Sequence, residues 1–286
     1  MKKVLILLIS FLFIQNLFAQ NNSEIKGPIE YVYDIKDPDS LKAYLFYPAT
    51  KDQIDDNPAI VIFHGGGWSI GEPSWAFGLA EKYAQKGMVA VAAQYRLSDQ
   101  KNITPIDAME DASNIIIWMR ENSQDLKIQS DRIVAYGWSA GAHLAACAAV
   151  FPTTNSKKTI TSIPNALVLV SPALSLEKDG WFKRLLLEKG DPEDYSPAEH
   201  LKENMPASII VVGRDDTVTP IHESILLHEN MQKYGNESFL HIYDGVGHLF
   251  TPSDKPDDGW PDPDKKIQAQ VYEEIDLFLK KLGYID

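Results

Sequence analysis

The 286-residue chain has one cysteine, Cys147, which excludes an intramolecular disulfide and any cysteine-built metal site. It has few cations for its size: 27 Lys and Arg stand against 40 Asp and Glu, a formal net charge of −13. Such a surface repels polyanions, so nucleic acid and anionic membranes are excluded as partners. No internal repeat and no low-complexity linker interrupts the chain, which leaves no seam for a second domain. No apolar run is long enough for a permanent membrane span, which needs roughly 20 residues. The longest, Val4 to Phe18, follows the basic Met1-Lys2-Lys3 and ends at the small Ala19, with the polar Gln20-Asn21-Asn22-Ser23 immediately after. That is the pattern of a Sec signal peptide. The expected organisation is therefore a signal peptide over residues 1–19 and a single domain over 20–286, periplasmic or secreted, with no membrane contact after cleavage.

Hydrophobic patterning places strands near 29–35, 41–47, 59–63, 88–94, 133–137, 166–171, 208–213 and 238–243. Helical periods near 74–86, 105–122, 139–150, 221–235 and 265–282 alternate with the later strands. This alternation predicts an α/β fold in which a mostly parallel eight-stranded sheet carries helices on both faces. The last helix has the clearest stripe, Ile267, Val271, Ile275, Phe278 and Leu282, which must face the sheet. Cys147 falls in the Ala-rich stretch His143 to Val150 and is expected to be buried there as a small apolar residue.

Two glycine-rich segments follow predicted strand ends. Gly137-Trp138-Ser139-Ala140-Gly141 lies between the apolar run Ile133-Val134-Ala135-Tyr136 and the Ala-rich helix. A serine in a tight strand-to-helix turn stands clear of the sheet and can act as a nucleophile, although the motif alone also describes an ordinary turn. Upstream, the buried strand Ala59 to Phe63 runs into His64-Gly65-Gly66-Gly67-Trp68, whose bare backbone can turn N–H groups toward a developing oxyanion. Later, Asp215 and Asp216 sit in the loop after Ser208 to Val212, where either can cap a turn or orient an imidazole. His248 sits in a glycine-flanked loop after the strand Phe239 to Tyr243. His64, His143, His200, His222, His228 and His241 fall at positions better suited to structural or solvated roles.

Together these segments resemble the α/β-hydrolase esterases and lipases, in particular bacterial carboxylesterases with a His-Gly-Gly-Gly oxyanion loop. The resemblance covers nearly all of the chain from about Tyr44 onward. It implies the α/β-hydrolase fold, and N–H donation to an oxyanion by Gly66, Gly67 and Ala140. The family's Gly-x-x-Asp-x-x-x-Pro loop matches Gly213 to Pro220 and selects Asp216 over Asp215. The chemistry it implies is that of a serine esterase: Ser139 attacks, His248 takes and returns the proton, and Asp216 orients His248, with no metal and no organic cofactor.

The segment from Ala173 to Leu201 lies where such folds insert a cap, and its shortness predicts a minimal cap and an open pocket. Trp68 and Trp138 flank the oxyanion and nucleophile segments, and Trp181 and Trp260 occupy loops, so these four are expected to contact substrate; Trp75 is assigned to packing. The acidic segment from Thr251 to Asp264 lacks the EF-hand spacing and reads as a solvated loop rather than a calcium site. The partner expected is a small-molecule or polysaccharide ester carrying a short, acetyl-type acyl group, with carbohydrate favoured by export and the tryptophans. The alternatives are a serine peptidase of the same fold, disfavoured without a propeller or large cap, a lipase-like esterase on longer chains, and a non-catalytic scaffold, disfavoured because Ser139, Asp216 and His248 are all present. Export carries its own test: mass spectrometry of protein from the native envelope or medium should find the chain beginning at Gln20 or within a residue or two of it, and an intact Met1 would exclude cleavage.

Overall fold

The computed structural model describes residues 26–36, 39–49, 56–99, 101–155 and 159–286. The expected signal peptide, residues 1–19, lies outside the described residues. Among the described residues no helix is long and apolar enough to cross a membrane.

In chain order the strands are β1 (Lys26–Lys36), β2 (Asp39–Tyr47), β3 (Asn57–Phe63), β4 (Val89–Ala93), β5 (Ile128–Trp138), β6 (Thr154–Asn155), β7 (Ile160–Thr161), β8 (Ala166–Val170), β9 (Ala207–Gly213) and β10 (Ser238–Tyr243). Eight of them form one sheet in the order β1-β2-β4-β3-β5-β8-β9-β10. Strand β2 is antiparallel to both of its neighbours, and every pairing from β4 to β10 is parallel. The eight-stranded, mostly parallel sheet expected from the sequence is present. The first half of β5, Gln129 to Arg132, escaped the hydrophobic pattern because it is polar and largely exposed. Strands β6 and β7 form a separate two-residue ladder too short to leave any period.

The helices are α1 (Phe77–Gln85), α2 (Pro105–Glu121), α3 (Ser123–Leu126), α4 (Ala140–Val150), α5 (Gly180–Leu185), α6 (Ile221–Lys233) and α7 (Lys265–Lys281). Successive strand residues feed opposite faces of the sheet. Ala59, Val61 and Phe63 of β3 join α2, α4 and α6 in one core, whereas Ile60 and Ile62 join α1 and α7 in the other. Within α7, Val271, Ile275 and Phe278 are buried as the stripe requires, and Asp264 caps the helix by accepting the N–H groups of Lys266 and Ile267. Each such aliphatic or aromatic side chain removed from water contributes roughly 1.5–3 kcal/mol. Helix α4 is buried along its whole length. Its alanines keep it thin enough to lie directly over the sheet. The expected helix over 74–86 begins instead as a 3₁₀ turn at Pro73–Ala76, which contains Trp75 and precedes α1.

The cap segment is anchored from below by Glu223, in the first turn of α6. Its buried carboxylate accepts the N–H groups of Leu174 (2.7 Å) and Ser175 (3.2 Å). Burial pushes the Glu223 carboxyl up from 4.5 to about 7, despite the two donors that favour its charged form. The folded state thus holds this proton more tightly than the unfolded chain. Its burial costs nothing below pH 4.5, where both states are protonated, and costs progressively more as pH rises to about 7. Glu223→Gln keeps an acceptor oxygen without the charge. Denaturant unfolding at pH 5 and pH 8 should show the variant gaining on the parent as pH rises, by about 2–3 kcal/mol; a difference independent of pH would refute the shifted carboxyl.

Candidate active site

The loops at the carboxyl ends of β3, β5, β9 and β10 converge on one cleft. The turn between β5 and α4 is made by contact as much as by dihedral freedom. A Cβ on Gly141 would lie 2.1 Å from the carbonyl oxygen of Phe63, and one on Gly137 would lie 2.2 Å from that of Gly141. With both side chains absent, α4 starts directly against the end of β3. Ser139, between them, adopts φ 54° and ψ −124°, a strained conformation for a residue with a side chain. Its hydroxyl points into the cleft and stands 3.1 Å from Nε2 of His248.

His248 opens a short 3₁₀ turn after β10. Its Nδ1 lies 3.0 Å from Oδ2 and 3.2 Å from Oδ1 of Asp216. Since the carboxylate only accepts, Nδ1 carries the proton and Nε2 is left free to accept from Ser139. Asp216 is itself held by the main chain: Oδ1 accepts the N–H groups of Val218 (3.0 Å) and Thr219 (2.7 Å). The Thr219 hydroxyl donates to Oδ2 at 2.9 Å. Ser139, Asp216 and His248 are 8 %, 5 % and 7 % exposed, so only a narrow part of each meets solvent. Asp215, the other acid of the loop, is exposed and accepts instead from the Ser253 hydroxyl at 2.6 Å.

The loop after β3 turns back on itself through the Gly66 carbonyl, which accepts from the N–H groups of Ser69 and Ile70, each at 3.1 Å. Gly66 has φ 115°, and a Cβ there would sit 2.1 Å from the Ile70 oxygen, so only glycine closes this turn. No acceptor among the described residues takes the N–H of Gly66 or Gly67. Ala140 is the first residue of α4, where a helix N–H has no carbonyl to meet and the helix dipole is positive. Gly66 and Gly67 line the same cleft as Ser139, and Ala140 follows Ser139 directly in the chain.

The cleft has a volume of ≈ 1040 Å³. The four tryptophans expected to contact substrate divide. Trp181, on α5, and Trp260, which is 76 % exposed, form its walls, and Trp138 lies beside Ser139. Trp181 also donates its indole N–H to the Gly67 carbonyl at 3.0 Å, which ties the cap to the loop after β3. Trp68 also lines the cleft, from its floor. It is only 3 % exposed, packs edge-on against Phe182 and His143, and donates its indole N–H to His143 Nδ1 at 3.2 Å. It is part of the floor beneath the cleft rather than an exposed face. Trp75, assigned to packing from sequence, stands in the cleft wall instead, 5.3 Å from Trp260 in an edge-on pair.

The remaining histidines lie outside this constellation. His143 is fully buried; burial lowers its pKa to about 4, and its Nε2 meets the Tyr195 carbonyl at 2.9 Å, so it is a neutral strut. Cys147 lies 3.2 Å from the same nitrogen, and burial pushes its thiol well up. His64 stacks on Tyr95, His228 meets Ser238, and His200 meets the Glu193 carbonyl. Among the described residues no group of three or more His, Cys, Asp or Glu could hold a metal ion. The acidic segment is not simply a solvated loop: Asp257 and Asp264 are both committed to main-chain N–H groups. Sequence offered no signal for Thr219 or Asp257 in the site, because their partners are brought there by separate strands.

The BD-FAE family model matches residues 45–168. The chain is 28 % identical over 229 residues to the isoprenylcysteine alpha-carbonyl methylesterase of Arabidopsis thaliana, covering 71 % of this chain and 52 % of the relative. It is 26 % identical over 181 residues to an arylesterase of Saccharolobus solfataricus, covering 56 % and 58 %. The chain thus spans about half the length of the curated relatives it matches. Among solved structures, the apo form of Thermogutta terrifontis esterase 2 is 32 % identical, with a TM-score of 0.79 over 92 % of this chain and 97 % of that one. Its propionate-bound form is 34 % identical, with a TM-score of 0.78 over 91 % and 96 %.

The two acids of the β9 loop differ in a way kinetics can read. Asp216→Asn should slow acylation of Ser139 by an activated aryl ester roughly ten-thousand-fold, because an amide cannot hold the required imidazole tautomer. Asp215→Asn should leave the rate within a few-fold of the parent, and the reverse ranking would move the orienting acid to Asp215.

Proposed function

Because this chain belongs to the α/β-hydrolase family of serine esterases, we propose that it is an exported carboxylic ester hydrolase that removes short, acetyl-type acyl groups from carbohydrate. The observation that carries the ester-hydrolase reading is the 3.1 Å contact between the Ser139 hydroxyl and an imidazole whose other nitrogen is held by Asp216. Ser139 Oγ attacks the ester carbonyl carbon while its proton passes to His248 Nε2, and the resulting imidazolium is stabilised by Asp216. The carbonyl oxygen becomes an oxyanion that accepts the N–H groups of Gly66, Gly67 and Ala140. A single donor of this kind is typically worth about 3–4 kcal/mol in the transition state. Collapse breaks the bond to the alkoxide, which leaves with the proton from His248. Water, deprotonated by the same nitrogen, then attacks the acyl-enzyme, releasing the carboxylic acid and returning the proton to Ser139. No step calls for a metal or an organic cofactor.

Two features support a short acyl group. The cap is brief, so little apolar surface is available to enclose a long chain, and each methylene left in water forgoes about 0.8 kcal/mol. The similar Thermogutta terrifontis esterase 2 has been solved with propionate and with butyrate bound. The exposed Trp260 and the half-exposed Trp75 and Trp181 offer flat apolar faces of the kind that pack on sugar rings. The Lys-Lys leader ending at Ala19 supports export to where polysaccharide esters occur. Longer acyl chains have one observation in their favour. An apolar pocket of ≈ 380 Å³, lined by Leu79, Val170 and Val271 among others, lies behind Trp138 and Leu249.

A fluorophosphonate should label Ser139 and nothing in Ser139→Ala; paraoxon phosphorylates the similar Thermogutta esterase. Across an aryl ester series kcat/KM should peak at acetyl or propionyl and fall beyond butyryl, with Ser139→Ala reducing kcat by four orders of magnitude or more, on the order of a lost triad. Acetylated xylo-oligosaccharide should release acetate as readily as aryl acetate does. An optimum at octanoyl would assign the pocket behind Trp138 to the acyl chain, and fast aryl acetate turnover without acetate release from any acetylated glycan would remove the carbohydrate.

A further inference from the structure

The acidic loop between the His248 turn and α7 contains a carboxylate that the mechanism above does not use. Asp257 lines the cleft, and its Oδ2 accepts two main-chain N–H groups, that of His248 at 2.9 Å and that of Thr217 at 3.0 Å. Its Oδ1 accepts the Thr217 hydroxyl at 2.6 Å. Thr217 directly follows Asp216, so one side chain spans the loop that presents the acid and the loop that presents the base. The approach is close enough to dictate a neighbour: a Cβ on Gly247 would lie 2.3 Å from Oδ2 of Asp257. Burial alone would raise the Asp257 carboxyl, but the donors of Thr217 and His248 outweigh it and hold the group below its ordinary 3.8.

The β9–β10 ladder ends at the pair Tyr243 and Gly213. Past it, the N–H of Arg214 still meets the Tyr243 carbonyl and that of Asp215 the Val246 carbonyl, after which side chains rather than main-chain hydrogen bonds join the two loops among the described residues. The imidazole of His248 swings about a main chain whose N–H is the atom that Asp257 holds. We propose that Asp257 is a positioning residue, a brace from farther along the β10–α7 connection that fixes the Asp216 loop and the His248 turn relative to each other and so sets the reach of Nε2 to Ser139. Without the brace each loop can move by a fraction of its own hydrogen-bond length. A displacement near 1 Å between reacting groups costs about 100-fold in rate.

This inference rests on Ser139 being the nucleophile, and its test keeps the two apart. The full chain is assayed on an aryl acetate for kcat and KM, and with a fluorophosphonate for the rate of Ser139 labelling. Asp257→Ala is expected to lower kcat and the labelling rate by about 100-fold while KM stays within about twofold. Asp257→Asn offers one oxygen to both N–H groups and an amide donor to the Thr217 hydroxyl, so it restores both rates to within about threefold of the parent. Asp254→Asn, an exposed acid of the same loop, leaves both rates as they were. Thr217→Val removes one donor without touching the His248 N–H, and gives a smaller fall in kcat at unchanged KM even where Asp257→Ala does not fold. The brace is overturned if Asp257→Ala keeps its kcat, if the loss lies in KM, if Asp257→Asn is as impaired as Asp257→Ala, or if Thr217→Val turns over like the parent. A parent enzyme that takes up no fluorophosphonate overturns the esterase reading instead.

Discussion

Helix α4 approaches the end of β3 so closely that no side chain fits at Gly141, and the start of α4 itself leaves no room for one at Gly137. That contact fixes where the helix begins, which in turn fixes the strained dihedrals of Ser139 and the direction of its hydroxyl. A residue held in such a conformation costs of the order of 1–3 kcal/mol, and it persists only where the surroundings over-determine it. Here the surroundings are a helix buried over its whole length and strands buried on both faces. The stability of the fold thus maintains a geometry the local chain would abandon. The first N–H of α4 faces the same place as a consequence, since it lies one residue past the serine.

Around that turn, charge is placed by the main chain rather than by paired side chains. Asp216 is buried, yet no lysine or arginine forms an ion pair with it among the described residues. It is compensated by the N–H groups of Val218 and Thr219, the Thr219 hydroxyl and the imidazole itself. Fixed donors of this kind need no reorganisation when a proton moves, unlike water or a flexible ammonium. Asp257 repeats the device, so that the N–H groups of the short segment from Thr217 to Thr219 are shared between the two carboxylates.

The cap is small but not loose. Trp181 reaches down to the Gly67 carbonyl, Glu223 holds Leu174 and Ser175, and the neutral His143 joins Trp68 to the Tyr195 carbonyl. The loop after β3, the cap and helix α4 therefore share hydrogen bonds. The far wall is different: Trp260 touches Trp75 but is otherwise open to solvent.

The sequence by itself determined the sheet, because buried parallel strands are continuous apolar runs and the helices between them carry a readable stripe. It also determined the segments that meet in the cleft, since Gly137 to Gly141, His64 to Trp68 and the loop of His248 announce themselves by glycine at strand ends. Between Asp215 and Asp216 the residues alone left both open, and the resemblance to a family loop pointed to the second. Tertiary structure decided what each neighbouring side chain does: that Trp68 is floor and Trp75 is wall, that Thr219 and Asp257 belong to the site, and that Asp215 serves Ser253. The reason is separation along the chain. A turn or a stripe is written in consecutive residues, whereas Asp257 meets Thr217 across 40 positions and His248 meets Ser139 across 109, distances that only the packed sheet closes.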